Sequence, residues 1–293
     1  MSSTSYGYSV ARDRWRIVGP PELLTLVLLI GVVCWLVFPR DLAGSLRSAR
    51  MDAVTLSYTN AWLRAKPDDF GVRLVLARNL MDLGLLQQAE EQLDHLSRHA
   101  SDPSTLATQA WLRSRLPFVA LMEIPARQRR DDPLWGQSRA ALERVDRTTL
   151  SLRQLERYAE MALILDLPDA AVQAYRQLAA RQAYPGAWYA RGAAALLARG
   201  QYREAADEYL LAMASQENHY GRRRYFLAAL SSLESGGLIR EAAALGQRKA
   251  APFLNDQKVL YRLMNMARAA GEYQLAERYA ILLLKLDQGL GTP

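Results

Sequence analysis

Cysteine is almost missing from this chain of 293 residues: there is one, Cys34, alongside three histidines. No disulfide framework can form within one chain, and a zinc site built on thiolates is out of reach. Proline and glycine, at 12 and 17 residues, are not enriched, which excludes a collagen-like or low-complexity chain. A strong charge imbalance is also lacking. Lys and Arg exceed Asp and Glu by 37 − 30 = +7, with +3 of that before residue 51, so the dense basic stripe of a nucleic-acid binder is absent. No Gly-rich phosphate loop follows a strand, no convincing strand occurs, and neither Gly-x-Ser-x-Gly nor His-Glu-x-x-His is found. His95 and His99 lie four apart with only Asp94 beside them, a poor ligand set that reads better as capping a helix carboxyl end. The expectation is therefore of a chain that binds partners, without catalysis, metal or cofactor.

One long apolar run is present. Leu23 to Phe38 carries no charge, and its sixteen residues would span roughly 24 Å as helix, against about 30 Å of hydrocarbon core. Pro20, Pro21 and Glu22 suit a helix start, and Pro39 suits its end. Trp15 and Trp35 could mark the two interfaces. A cleaved signal peptide and a buried core helix are the alternatives. An uncleaved anchor over 22–39 is preferred, with a tail over 1–21 and a linker over 40–51. The flanking arginines tie, three on each side (Arg12, Arg14, Arg16 against Arg40, Arg47, Arg50), and a short tail more often stays inside. The expectation is a single-pass membrane protein with its tail inside and its body outside.

Beyond residue 50 one pattern recurs. A glycine is followed at +2 by an aromatic or aliphatic residue, at +5 by alanine, at +9 by an aromatic or aliphatic residue and at +12 by a small or aliphatic one. Gly200, Tyr202, Ala205, Tyr209 and Ala212 form the clearest copy, and Gly84, Leu86, Ala89, Leu93 and Leu96 a second. Gly237 with Ile239 and Ala242, and Gly271 with Tyr273 and Ala276, begin two more. Asp166, Pro168, Ala171, Tyr175 and Leu178 make a fifth, with Asp in place of Gly. The starts at 166, 200, 237 and 271 lie about 34 residues apart, the period of tetratricopeptide (TPR) repeats. The residue types fit two antiparallel helices joined by a tight turn. Glycine permits the positive φ that ends the first helix, and alanine marks the close crossing of the second. One such pair cannot bury its apolar face alone, so pairs stack. The fold predicted is all-α, a TPR-type solenoid with TPR-like units over 52–102, a degenerate unit over 103–150 and about four units over 151–290. Pro117, Pro125 and Pro133 break the degenerate segment, whose helix is expected to end near Leu116.

TPR arrays usually hold peptides or proteins in a groove lined by their first helices. In this register the groove candidates are Arg78, Arg153, Glu156, Glu160, Arg224, Lys258, Asn265 and Arg268. They do not reproduce the Lys and Asn set with which chaperone-binding TPRs clamp a terminal carboxylate. The run Arg222, Arg223, Arg224 opens a helix, where cations are disfavoured, and suggests an acidic partner. The final helix carries Ile281, Leu282, Leu283, Leu284 and Leu286, too apolar for one buried face, so Leu282 and Leu284 are expected to form a terminal docking surface.

The apolar span ending in Val37-Phe38-Pro39, a helix, and then residues 66–93 (KPDDFGVRLVLARNLMDLGLLQQAEEQL) resemble the amino-terminal part of the PelB proteins of Pel exopolysaccharide export. That resemblance implies an inner-membrane helix followed by a periplasmic TPR array, which serves as a scaffold recruiting a polysaccharide-modifying enzyme. The alternating strands of the family's outer-membrane barrel do not occur here. A general envelope scaffold, of chaperone-associated or cytochrome-maturation type, shares the same physics. A polysaccharide-guiding groove is a further alternative, although the groove positions are mixed in charge and poor in Trp.

Overall fold

The computed structural model describes residues 20–37 and 53–288. The expected tail, the linker, Trp15 and the flanking arginines lie outside these residues, and within the first helix the side chains of Cys34 and Trp35 are not described. The architecture is all-helical, with no strand among the described residues. In chain order the helices are α1 (Pro20–Val37), α2 (Ala53–Ala65), α3 (Phe70–Asp82), α4 (Leu86–His99), α5 (Pro103–Glu123), α6 (Pro133–Glu143) and α7 (Leu152–Ile164). They continue with α8 (Pro168–Arg181), α9 (Pro185–Leu197), α10 (Tyr202–Ala214), α11 (His219–Ser235), α12 (Ile239–Lys249), α13 (Gln257–Ala269) and α14 (Tyr273–Asp287). The chain divides into two compact units, 1–75 and 76–293, with the boundary inside α3.

In the first unit, α1 forms where the apolar run predicted a helix, but it does not fulfil the expectation of an anchor. Among the described residues no helix is long and apolar enough to cross a membrane. The described helix is Pro20–Val37 and its first turn is Pro20, Pro21 and Glu22. The apolar part from Leu23 to Val37 is therefore about 22 Å long, well short of the roughly 30 Å of a bilayer core. The inner-membrane span and the periplasmic body inferred from it are accordingly withdrawn. Between α2 and α3 the turn is held by side chains. Asp69 accepts the Val72 N–H on Oδ1 and the Trp62 indole N–H on Oδ2, and Arg73 donates to the Pro67 carbonyl at 3.0 Å.

In the second unit the five positions marked by the repeated pattern are the only described residues with positive φ: Gly84 (76°), Asp166 (66°), Gly200 (72°), Gly237 (71°) and Gly271 (81°). Each closes the same turn. The N–H of the next residue donates back to a carbonyl five positions earlier: Leu85 to Leu80, Leu167 to Ala162, Gln201 to Leu196, Leu238 to Leu233 and Glu272 to Ala267, at 2.8–3.0 Å. The N–H of the positive-φ residue itself donates three positions back, as Gly200 does to Leu197 at 3.0 Å. This is the Schellman ending, which satisfies the orphan carbonyls of the first helix and reverses the chain. Asp adopts the left-handed conformation less readily than Gly. At Asp166 the carboxylate is ion-paired with Arg199 and, at 3.6 Å, with Arg130.

Five helix pairs result, α3/α4, α7/α8, α9/α10, α11/α12 and α13/α14. Ala89, Ala171, Ala205 and Ala242 have no exposed surface, as the close crossing requires. One core joins α11 to α14 around Phe226, Leu230, Phe253, Leu260 and Leu263. Another holds Val172, Ala193, Leu196 and Ala205, between α8, α9 and α10. The extensive helix–helix contacts all run between neighbours in sequence.

The segment over 103–150 departs from the prediction. Helix α5 does not stop near Leu116 but runs through Pro117 to Glu123. Phe118 and Leu121 beyond the proline are buried, and their burial opposes the loss of one backbone hydrogen bond. Pro133 sits in the first turn of α6 behind the N-cap Asp132, which accepts the Leu134 N–H. Residues 126–132 connect α5 to α6. Arg129 donates to the carbonyls of Ile124 and Met122 at the end of α5, at 2.7 and 2.9 Å.

Candidate partner-binding groove

The residues expected to line a groove lie on the first helices of the pairs. Arg78 on α3 is exposed, as are Arg153 and Glu160 on α7. Glu156, one turn before Glu160, accepts from Arg191 of α9 at 2.8 Å. The Arg191 guanidinium also lies 4.5 Å from the ring centre of Trp188, which stacks on Tyr175 of α8 at 6.2 Å. Burial pushes the Tyr175 hydroxyl pKa up; Arg191 opposes this, while Glu160 and Glu156 add to it. Glu156 and Glu160 thus share one locus with Arg191 and two aromatics. Sequence reading missed Arg191, although it stands 35 residues after Glu156, one repeat along.

Lys258 and Asn265 are brought together on α13. They line an open cleft of about 590 Å³ with Tyr261, Arg262, Met266 and Glu234. Arg262 is fixed by ion pairing with Glu234 of α11 and by a hydrogen bond to Ser231 at 2.9 Å. Lys258 and the exposed Tyr261 are left at the rim. Arg268, at the end of the same helix, is exposed and lies outside the cleft.

Arg224 is exposed on α11, with its guanidinium 5.3 Å from the Tyr225 ring. Its neighbour Arg223 is committed to Asp256 at 2.6 Å, so the triple arginine run is in part an inter-repeat tie. Asn218 caps the helix by accepting the Gly221 N–H. His99 bonds the His95 carbonyl through Nδ1 at 2.9 Å and the rings stack. No group of three metal-ligating side chains occurs among the described residues.

At the carboxyl end the two leucines part company. Leu284 is 60% exposed, whereas Leu282 packs on the core with Leu283 and Leu286. Helix periodicity accounts for it, because 282 and 286 share a face that 284 does not. The outward apolar face is therefore Ile281 and Leu284, and not Leu282.

No known protein family matches the chain, and no curated protein matches it.

Proposed function

We propose that this protein is a TPR-type scaffold that holds a protein partner along the face lined by its first helices. The reading rests on five helix pairs, each closed by the same turn at a positive-φ residue, at starts 34, 37 and 34 residues apart from Asp166 to Gly271. Helices stacked this way leave one edge of every first helix uncovered, and such repeat surfaces serve as extended binding faces. The side chains there are mixed in charge, with Arg153, Glu160, Arg224 and Lys258 all exposed, which suits a polar peptide-like ligand. The resemblance to the PelB array makes a polysaccharide-export assembly the first place to seek that partner.

Photo-crosslinking tests the proposal. A benzoylphenylalanine at Asn265 or Glu156, on the proposed face, is expected to give one discrete protein adduct in the native cell, while the same group at the exposed Arg240 on a second helix gives none. Equal adducts from both faces, or none from either, would sink it. A polysaccharide-guiding groove draws support from one feature, the exposed ring of Tyr261 beside the Glu234 carboxylate. Affinity electrophoresis in gels containing acidic or amino polysaccharide distinguishes it, since retardation abolished by Tyr261→Ala is expected only on that reading.

A further inference from the structure

Inside the array a second helix is covered on two sides. Helix α10 packs extensively on α9, the first helix of its own pair, and on α11, the first helix of the next. Its side towards α11 is a stripe of residues 2, 6, 10 and 13 positions after the positive-φ Gly200. Tyr202 lies against Gly236 at the end of α11, and Ala206, Leu210 and Met213 join the core of α11 to α14. Helix α14 repeats this stripe at the same distances from Gly271, as Tyr273, Glu277, Ile281 and Leu284. Among the described residues, however, α14 packs extensively on α13 alone. Tyr273, Ile281 and Leu284 are accordingly 73%, 46% and 60% exposed, and Glu277 is exposed between them. The surface that joins one pair to the next within the array is therefore repeated on α14 and left open.

The charges on this surface select what fits it. Glu277 stands in the middle of the stripe, where α10 has Ala206, and Lys285 flanks it eight residues on. The two are roughly 12 Å apart along the helix, too far to pair with each other. Among the described residues neither is ion-paired. A helix that covers the stripe must bring a cation to Glu277 and an anion to Lys285, at the same spacing and in reverse order. An antiparallel copy of α14 meets that requirement. About a two-fold axis at Ile281, Glu277 comes opposite the partner's Lys285 and Lys285 opposite the partner's Glu277, since both lie four residues from the axis. The same rotation sets the apolar Ile281 and Leu284 of the two copies together, and Arg278 lies about a quarter-turn off the stripe, at its rim. A parallel pairing would set Glu277 against its own counterpart and lose both attractions.

We propose that α14 is a self-association surface, on which a second copy of this chain lays its own α14 in antiparallel register. The proposal goes beyond the scaffold reading and does not depend on it. It continues the contact that α10 makes with α11, with the two-fold partner in place of a further pair, and it makes the scaffold bivalent.

Sedimentation equilibrium of the full chain, from about 1 to 100 µM, is the test, because one helix face is smaller than the roughly 800 Å² per partner of a standard interface and a micromolar Kd is expected. The parent is expected to show a monomer–dimer equilibrium, and Leu284→Glu to raise its Kd about tenfold or more. Glu277→Lys is expected to weaken the dimer as well, and the double change Glu277→Lys with Lys285→Glu to restore it, because the opposed pairs form again with their signs exchanged. Circular dichroism is expected to show the helicity of the parent in all three variants, since the changed positions are exposed. Restoration is specific to the two-fold pairing: a foreign helix that complements Glu277 and Lys285 would be repelled at both positions by the double variant. A chain that is monomeric throughout, association untouched by Leu284→Glu, or a double variant weaker than Glu277→Lys would overturn the proposal. The first of these outcomes leaves the face to a different partner, and the second moves the contact to another surface, such as the exposed leucines of α1. The scaffold reading is judged separately, by the adduct from Asn265, which is expected to persist in Leu284→Glu.

Discussion

Glu208 is where packing and charge conflict most sharply. Its side chain is 1% exposed on α10, in van der Waals contact with the position a Gly192 Cβ would occupy. Arg176 of α8 donates to Oε1 at 2.6 Å, but Oε2 has no partner. Burial pushes the carboxyl pKa up, and the Arg176 hydrogen bond and charge offset this only in part. The folded chain therefore binds this proton more tightly than the unfolded one. The corresponding stability is fully present below the unfolded carboxyl pKa and is lost as pH rises through the raised folded value. Glu208→Gln removes the buried charge at nearly constant shape, and is expected to melt at or above the parent at pH 7 while losing this acid-side gain. Arg176→Met leaves the carboxylate buried without a counter-charge. Its expected cost is roughly 3 kcal/mol at neutral pH, shrinking as the pH falls. Thermal melts of the three proteins between pH 4.5 and 8 decide the matter; parallel pH profiles would mean that Glu208 titrates alike in the folded and unfolded chains.

Among the elements, the turns carry the repeat, and adjacent glycines in one of them do different work. Gly237 has φ 71° and open space where a Cβ would lie, so Gly237→Ala carries only the left-handed backbone penalty of about 1–2 kcal/mol. Gly236 has an ordinary φ of −84°, but a Cβ there would sit 2.6 Å from Cγ and Cδ2 of Tyr202. Gly236→Ala is expected to cost about 1–3 kcal/mol, the usual scale of overpacking, and to shift the Tyr202 ring. Urea unfolding of both variants checks this, and a Gly236→Ala protein as stable as its parent would show that the ring yields freely. The turns were legible in the sequence because positive φ restricts residue choice and the restriction repeats. The run through Pro117 was not, since what carries α5 past the proline is the burial of Phe118 and Leu121, a tertiary effect. Among the candidate residues, Lys258 and Asn265 share a helix and line one cleft, but the ties of Arg191 and Arg262 were not legible because their partners lie about one repeat away.

In the second unit the extensive contacts link neighbours in sequence, and its carboxyl end and its interior differ in what they tolerate. At the carboxyl end Leu284→Glu is expected to leave the melting temperature within a degree or two, whereas Leu282→Glu, on the packed face, lowers it clearly. Partner capture lost in Leu284→Glu alone would establish a terminal docking face. In the interior, Phe253 is the joint between the last two pairs. It lies in the short 3₁₀ turn Ala251–Phe253, has no exposed surface, and stacks on Phe226 of α11 at 4.9 Å and against His219 at 5.4 Å. Phe253→Ala removes that joint and leaves a cavity, at an expected cost of about 3–5 kcal/mol. Because the extensive contacts link only sequence neighbours, the loss should not spread evenly. Hydrogen exchange read by mass spectrometry is expected to show faster exchange across α11 to α14, while α7 to α9 keep the protection of the parent. Equal loss of protection along the whole unit would mean that it folds as one cooperative core and that its stability is not the sum of neighbouring pairs.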